Sequence, residues 1–335
     1  LARRIVFDGR RASGVEIARA GTVETVRARR EVIVCGGAVK SPQLLMLSGI
    51  GPGRELAAHG IGVLVDAPNV GRNLQNHPSY RLQYACRSRS TAYNYLSPGG
   101  ILRTGAAYLL ARKGGLGESI FGVGGFFRSR PELEIPDLQV VMCGALISRP
   151  GSATPGLWEL LPRRQGFALI VYQGTPYSRG EVRLRSADPD DAPAIHPGYF
   201  RDPRDMEVLI AGIRRMREVC NGAHRPAGIE RELAPGDTVQ SDAELERDIR
   251  ANIGTSFHQS GTCAMGGRPD SVLDPRLRVR GVEGLRVADA SIMPVMPNAA
   301  LHAPVMMIGE KAAAMIAEDA VSRPAATINQ QAVRP

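Results

Sequence analysis

The chain has 335 residues, enough for about two domains of ~150 residues each; it is 43% hydrophobic and 22% charged, with a formal net charge of +9. That composition is ordinary for a globular protein and excludes fibrous or wholly disordered classes. The positive excess is almost all arginine scattered in ones and twos, and aromatic residues are only 5%, so nucleic-acid binding, which calls for a basic stripe with stacking platforms, is not expected.

Residues 3–18 read as a hairpin about Asp8-Gly9, a turn signal between apolar runs. Glu31 to Cys35 is a short β-branched run ended by Gly36-Gly37, the pattern of a buried strand in a parallel sheet. Ser41-Pro42 predicts a helix start, running to Leu47, because serine caps and proline suits the first helical turn. A short helix over Arg54–His59 and a strand over Val63–Val65 follow.

After about residue 78 the character changes. Tyr80–Ser88, Phe167–Tyr172 and Glu181–Arg185 are strand candidates joined by long Gly/Pro-rich connections, as in an antiparallel sheet of a second domain. Asp205–Val219 has helical spacing of Met206, Val208, Leu209, Ile213 and Met216, and Ser241–Ile249 predicts a helix capped by Ser241. Leu285–Ala288 is a strand ending at Asp289, Ala303–Ala317 is a Met- and Ala-rich helix, and the polar tail after 320 is expected to fray.

The expected fold class is α/β plus α+β. An incomplete first domain (1–78, resumed at 251–320) is joined by a second domain on an antiparallel sheet (79–250), with 321–335 as a tail. No run approaches the ~18 apolar residues of a membrane span. Five widely spaced cysteines without a C-x-x-C argue against disulfides or zinc and fit a reducing, cytoplasmic setting. Six histidines include no H-x-x-x-H pair, so no metal site is expected.

Two histidines stand in distinctive settings: His258 in FHQSGTCAMGG (257–267) and His302 in PNAALHAPVMMIGEKAAAMI (297–316), with ADASIMP (288–294) between them. No G-x-G-x-x-G occurs. Gly49-Ile50-Gly51-Pro52-Gly53 fails as a phosphate cradle, because Arg54 stands where the third glycine belongs and Pro52 lacks an amide donor. His77, His196 and Cys263 are read as structural, and the methionine-rich helix from Met306 as core packing.

Together GGAVKSPQLLMLSGIG (36–51), GRNLQNH (71–77), FFRSRPELEIPDLQV (126–140), SRGEVRLRSADPDDAPAIHPGYFRDPRD (178–205) and the two histidine segments resemble the glucose-methanol-choline (GMC) oxidoreductases. Asn76 stands where aspartate is common in that family. The likeness runs from about residue 3 to 318. It implies an FAD-dependent enzyme that oxidises a primary alcohol to an aldehyde, with 1–78 and 251–320 as an incomplete FAD-binding, Rossmann-like domain and 79–250 as the substrate-binding domain, present here as a C-terminal portion lacking the N-terminal dinucleotide-binding segment and inactive alone. A lyase or photoenzyme of the same fold, or a fragment without flavin, is the alternative. The resemblance further implies His258 as general base and His302 as its partner. Asp289, Ala288, Asn298, Ala303 and Val305 are implied at the cofactor, Ala303 and Val305 through backbone amides. Histidine suits such a base because its ordinary pKa, about 6.5, lies near working pH. Choline-type members tend to carry glutamate in the stretch matching Phe121–Phe126, which here reads FGVGGF; this weakens a choline reading and leaves a small primary alcohol, more broadly, as the expected partner.

Overall fold

Gly9 takes φ +61°, a conformation that glycine adopts without a Cβ clash, and so reverses the chain where the sequence predicts a hairpin. Strands Ala2–Asp8, Arg11–Arg19 and Thr22–Arg27 pair antiparallel in that order. Ile5 and Ala12 point into the core, while the third strand is exposed throughout. The computed structural model describes residues 1–87, 91–115, 117, 119–147, 164–223, 226 and 228–322. It divides into two units: Leu1–Gln75, Arg179–Gly198 and the chain from His258 onward form one, Asn76–Ser178 and Tyr199–Phe257 the other. The segment 179–198 thus packs with the first unit, although sequence reading assigned it to the substrate domain. The reason is local pairing: Glu181–Arg183 pairs with Ala194–His196, and Gly180 exchanges backbone hydrogen bonds of 2.8 and 3.0 Å with Leu74.

In the first unit, Val32–Val34 and Leu285–Val287 form the expected parallel pair, Val32 opposite Leu285 and Val34 opposite Val287. Both strands bury their apolar residues in one cluster with Leu45, Met46, Ile50, Leu273, Ile292 and Ile308. The first helix is Gly37–Leu47, five residues longer at its start than a helix opening at Pro42. Ser41 is not its cap. Its hydroxyl accepts from Gly36 N (3.0 Å) and donates to Asp289 Oδ2 (2.5 Å), and that carboxylate also takes the Gly37 amide (3.0 Å). The last helix runs His302–Ser322. Ile308 and Ala312 face the core, whereas Met306 and Met307 are exposed, contrary to a uniformly packed methionine helix. Its far end is held by Asp319, which accepts from Arg278 and from the buried Arg286. Those cations hold its carboxyl well below the usual range. The expected tail beyond 320 lies largely outside the described residues.

The second unit is built on the antiparallel sheet that the sequence suggests, with more strands than it reveals. Ile229–Ala234, Pro78–Cys86, Gly166–Gln173, Leu138–Cys143 and Phe121–Phe127 lie side by side, with Gly254–Thr255 also pairing on Pro78–Cys86. Helix Arg204–Asn221 lays Met206, Leu209, Ile213 and Met216 into the same cluster as Tyr80, Leu82 and Val171. Buried Asp205 ties the sheet to the following turn, accepting from Gln173 Nε2 (2.7 Å), Tyr177 N (2.8 Å) and Ser178 N (2.9 Å). His77 is structural, with Nε2 2.7 Å from Gly174 O.

Helix Asp242–Asn252 begins in a capping box: Ser241 Oγ accepts from Glu244 N (3.3 Å) and Glu244 Oε2 accepts from Ser241 N (2.9 Å). These bonds to Ser241 and Gln240 hold the Glu244 carboxyl at about 2. A folded pKa below the unfolded value near 4.3 contributes stability above that value and loses it as pH falls toward the folded one. Ser241→Ala is expected to lower unfolding stability by about 1 kcal/mol, read from a urea titration at neutral pH. An unchanged midpoint would show that the box contributes nothing.

Candidate active site

The His258 segment is laid against ADASIMP by backbone bonds. Gly261 N donates to Ala290 O (3.1 Å), Cys263 N to Ser291 O (2.8 Å) and Met265 N to Ile292 O (2.8 Å). Ser260 exchanges amide bonds with Gln75, 3.0 and 2.9 Å, and Thr262 Oγ1 donates to Ala38 O (2.7 Å). Gly261 has φ +90°, and a Cβ there would lie 2.5 Å from Asn73 O. That contact explains the glycine three residues after His258.

Two side chains of GRNLQNH extend this strapping toward His302. Gln75, 1% exposed, donates from Nε2 to Pro294 O (3.1 Å) and accepts at Oε1 from Met296 N (3.1 Å). Asn73 donates to Gly261 O (3.2 Å) and Pro294 O (3.1 Å), and accepts from Arg179 Nε (3.0 Å). One short run of chain therefore fixes both the segment that follows His258 and the turn that leads, through half-buried Asn298, to His302. The motif is recognisable in the sequence as a signature, but the roles of its two amides are not. The readable signal is a pair of carboxamides inside an otherwise turn-like heptapeptide, since buried carboxamides must find backbone partners.

His258 is half-buried and its imidazole pKa is lowered by that burial, so it is neutral at pH 7 and able to accept a proton. His302 is exposed and opens the last helix. Ala303 is also exposed and lies in the first turn, where amides have no carbonyl four residues back within the helix. Val305 differs from expectation: its amide donates to Leu301 O at 2.9 Å and is not available to a ligand. The Ala288 amide is likewise committed, to Val34 O at 2.9 Å.

Asp289 is buried, 6% exposed. Oδ1 accepts from Ser291 N (2.7 Å), capping the 3-10 turn Ala290–Ile292, while Oδ2 takes Ser41 and Gly37. A carboxylate offers about four acceptor sites, so three internal donors leave room for at most one more. Asp289 thereby joins the parallel strands to the N-terminus of the first helix, at the carboxyl ends of both strands. Open α/β sheets place ligands outside those ends. A cavity of about 330 Å³ runs along Val32–Cys35 between the N-terminal strands and the first helix, lined among others by Leu1, Val15, Val32, Gly36, Lys40 and Leu47, and Asp289 is not among its lining residues. A larger concavity, about 630 Å³, lies by the N-terminal strands and Gly60–Gly62. Neither is lined by His258 or His302.

All five cysteines are free thiols. Burial pushes the Cys263 thiol far up, which fits packing rather than nucleophilic use. No cluster of metal-ligating side chains and no helix long and apolar enough to cross a membrane occur among the described residues.

Comparison with known proteins adds the following. Two models described as GMC oxidoreductase match residues 1–79 and 176–309. The first is the N-terminal model of that family, which corrects the expectation that the chain is confined to the C-terminal portion. An oxygen-dependent choline dehydrogenase of Brucella melitensis is 40% identical over 317 residues, covering 94% of this chain and 56% of the relative. An alcohol dehydrogenase [acceptor] of Pseudomonas putida is 38% identical over 320 residues, again 94% and 56%. A formate oxidase of Aspergillus oryzae RIB40, solved in a study of FAD modification, superposes with TM-score 0.88 at 29% identity, covering 96% of this chain and 60% of that one. The chain thus spans little more than half the length of the relatives it matches.

Proposed function

This chain belongs to the GMC oxidoreductase family, with FAD as its cofactor, and from that premise we propose that it serves the oxidation of an uncharged primary alcohol to an aldehyde. The observation that carries the reading is a half-buried His258, kept neutral at pH 7 by its surroundings, strapped to the segment that leads to His302. FAD, when bound, supplies a two-electron acceptor for the carbinol hydrogen.

The chain's own residues do the rest. His258 takes the hydroxyl proton, a step for which a neutral imidazole is required. His302 and the Ala303 amide, together at the start of the last helix, hold the alcohol oxygen. Asp289 with Gly36 and Gly37 shapes the place for the cofactor at the strand ends, Ala288 by its position rather than its amide, and Asn298 steadies the approach to His302. The residues fit a flavin at this level: small glycines, a carboxylate with one acceptor site left, and first-turn amides at a helix start.

An uncharged substrate is favoured because the stretch Phe121–Phe126, FGVGGF, carries no acid where choline-type members tend to carry glutamate, and a carboxylate is one of the groups that holds a quaternary ammonium. The choline dehydrogenase relatives make choline the competing substrate, and a side-by-side comparison of choline with a straight-chain primary alcohol separates the two.

A base whose pKa is lowered by burial stays deprotonated to more acidic pH. The rate of flavin reduction by alcohol is therefore expected to be flat above about pH 6.5, the ordinary histidine value, and to fall on the acid side of a lower apparent pKa. Stopped-flow reduction of the FAD-loaded protein across pH 5–9 measures this. A rate that keeps rising above neutrality would assign the base to another group.

A further inference from the structure

The helix Pro98–Ala111 wears its apolar face outward. Leu102, Leu109 and Leu110 are 78%, 77% and 88% exposed, and Ala106 between them is exposed as well. At 100° per residue these four positions fall on one stripe. The inward face is instead marked by Thr104, 6% exposed, and the half-buried Tyr108. A helix of a globular protein ordinarily does the reverse.

The charges on the helix and just past its end have one sign: residues 98–113 contain Arg103, Arg112 and Lys113 and no aspartate or glutamate. Arg103 flanks the leucine stripe by helical angle, and Arg112, the left-handed C-cap residue, and Lys113 stand at the helix end. Arg112 lies over the Tyr108 ring, 5.1 Å from its centroid. Long cationic side chains at the margins of an apolar face can keep their heads in the headgroup layer while their stems cover hydrocarbon. This is the layout of a helix that lies in a membrane interface, and the unbroken positive charge selects an anionic surface.

We propose that Pro98–Ala111 docks this protein, side-on and reversibly, onto an anionic phospholipid surface, with Leu102, Leu109 and Leu110 entering the acyl boundary and Arg103, Arg112 and Lys113 meeting lipid phosphates. The proposal stands apart from the alcohol-oxidation reading and needs neither flavin nor turnover for its test.

The test is co-sedimentation of the purified chain with sucrose-loaded vesicles of phosphatidylcholine alone or with three parts in ten phosphatidylglycerol. Binding is expected to the mixed vesicles, weaker by at least tenfold for phosphatidylcholine alone, and reduced by added salt. Leu109→Ser/Leu110→Ser, whose positions are too exposed for the change to unfold the chain, is expected to weaken partitioning at least tenfold with an unchanged circular dichroism spectrum. Arg112→Gln/Lys113→Gln is expected to lose roughly fivefold per cation removed. Equal recovery of wild type and leucine variant with the mixed vesicles would overturn the proposal. So would binding that ignores lipid charge, or sedimentation velocity showing a wild-type dimer that the leucine variant dissolves, which would give the stripe to a second copy of the chain.

Discussion

His258→Gln in the FAD-loaded protein is expected to slow flavin reduction by a primary alcohol about 10²–10⁴-fold, the usual worth of a positioned general base. Glutamine keeps much of the side-chain volume and a hydrogen-bonding end but cannot take a proton near neutrality. Binding should therefore suffer less than the chemical step. The acid limb of the pH profile should disappear with it, because the group that titrates is gone. His302→Gln, at an exposed position on the helix start, should cost less and leave the acid limb in place, since in this account it orients the alcohol rather than taking its proton. Single-turnover stopped-flow measurements separate these outcomes. A His258→Gln rate within threefold of wild type would remove it from the chemistry.

The second large effect is expected from a residue with no functional group. Gly261→Ala asks an L side chain to occupy φ +90° and puts its Cβ 2.5 Å from Asn73 O, 2.7 Å from Gln75 Nε2 and 3.0 Å from Asn73 Nδ2. Backbone strain of this kind costs about 1–3 kcal/mol, and the rigid carbonyl adds a steric penalty on top. A loss of about 3 kcal/mol or more is expected in urea unfolding. The same clash pushes on both carboxamides that strap the His258 segment to Pro294 and Met296. A misplacement near 1 Å can cost about 10²-fold in rate. The variant should accordingly be slow even where it is folded. An unfolding midpoint equal to wild type would contradict the strained geometry.

The parts of the fold that were legible in the sequence are those whose signal is local. Asp8-Gly9 specifies its turn, the Val32–Val34 run its buried parallel strand, and Met206 to Met216 their helix face, because each pattern matches one backbone period. Ser241 was read as a cap and forms one. Ser41 carried the same local signal yet spends its hydroxyl on Asp289, 248 residues away, a long-range partner that no window of sequence contains. The interruption of the second unit by residues 179–198 was missed for the same reason, since strand pairing with Ala194–His196 and with Leu74 decides it.

In the site, residue chemistry and resemblance nominated His258, His302 and Asp289, but not their support. Asn73 and Gln75 act through their carboxamides on backbone groups far along the chain, and such bonds leave no periodicity. The amide of Val305 is not the open donor that the sequence suggests, because helix starts look alike in sequence. Which amides stay open depends on where the first turn closes, and here Leu301 O takes the amide of Val305. Helix Pro98–Ala111 is hard to see in the sequence because its glycines weaken the helical pattern and its leucines do not mark a core.

The most direct measurement is an anaerobic titration of the FAD-loaded protein with a straight-chain primary alcohol, following the visible flavin band and assaying aldehyde. Bleaching that ends with one equivalent of aldehyde per flavin is the expected result. A band that keeps its full intensity in excess alcohol, with no aldehyde formed, would contradict the assignment of this chain to alcohol oxidation.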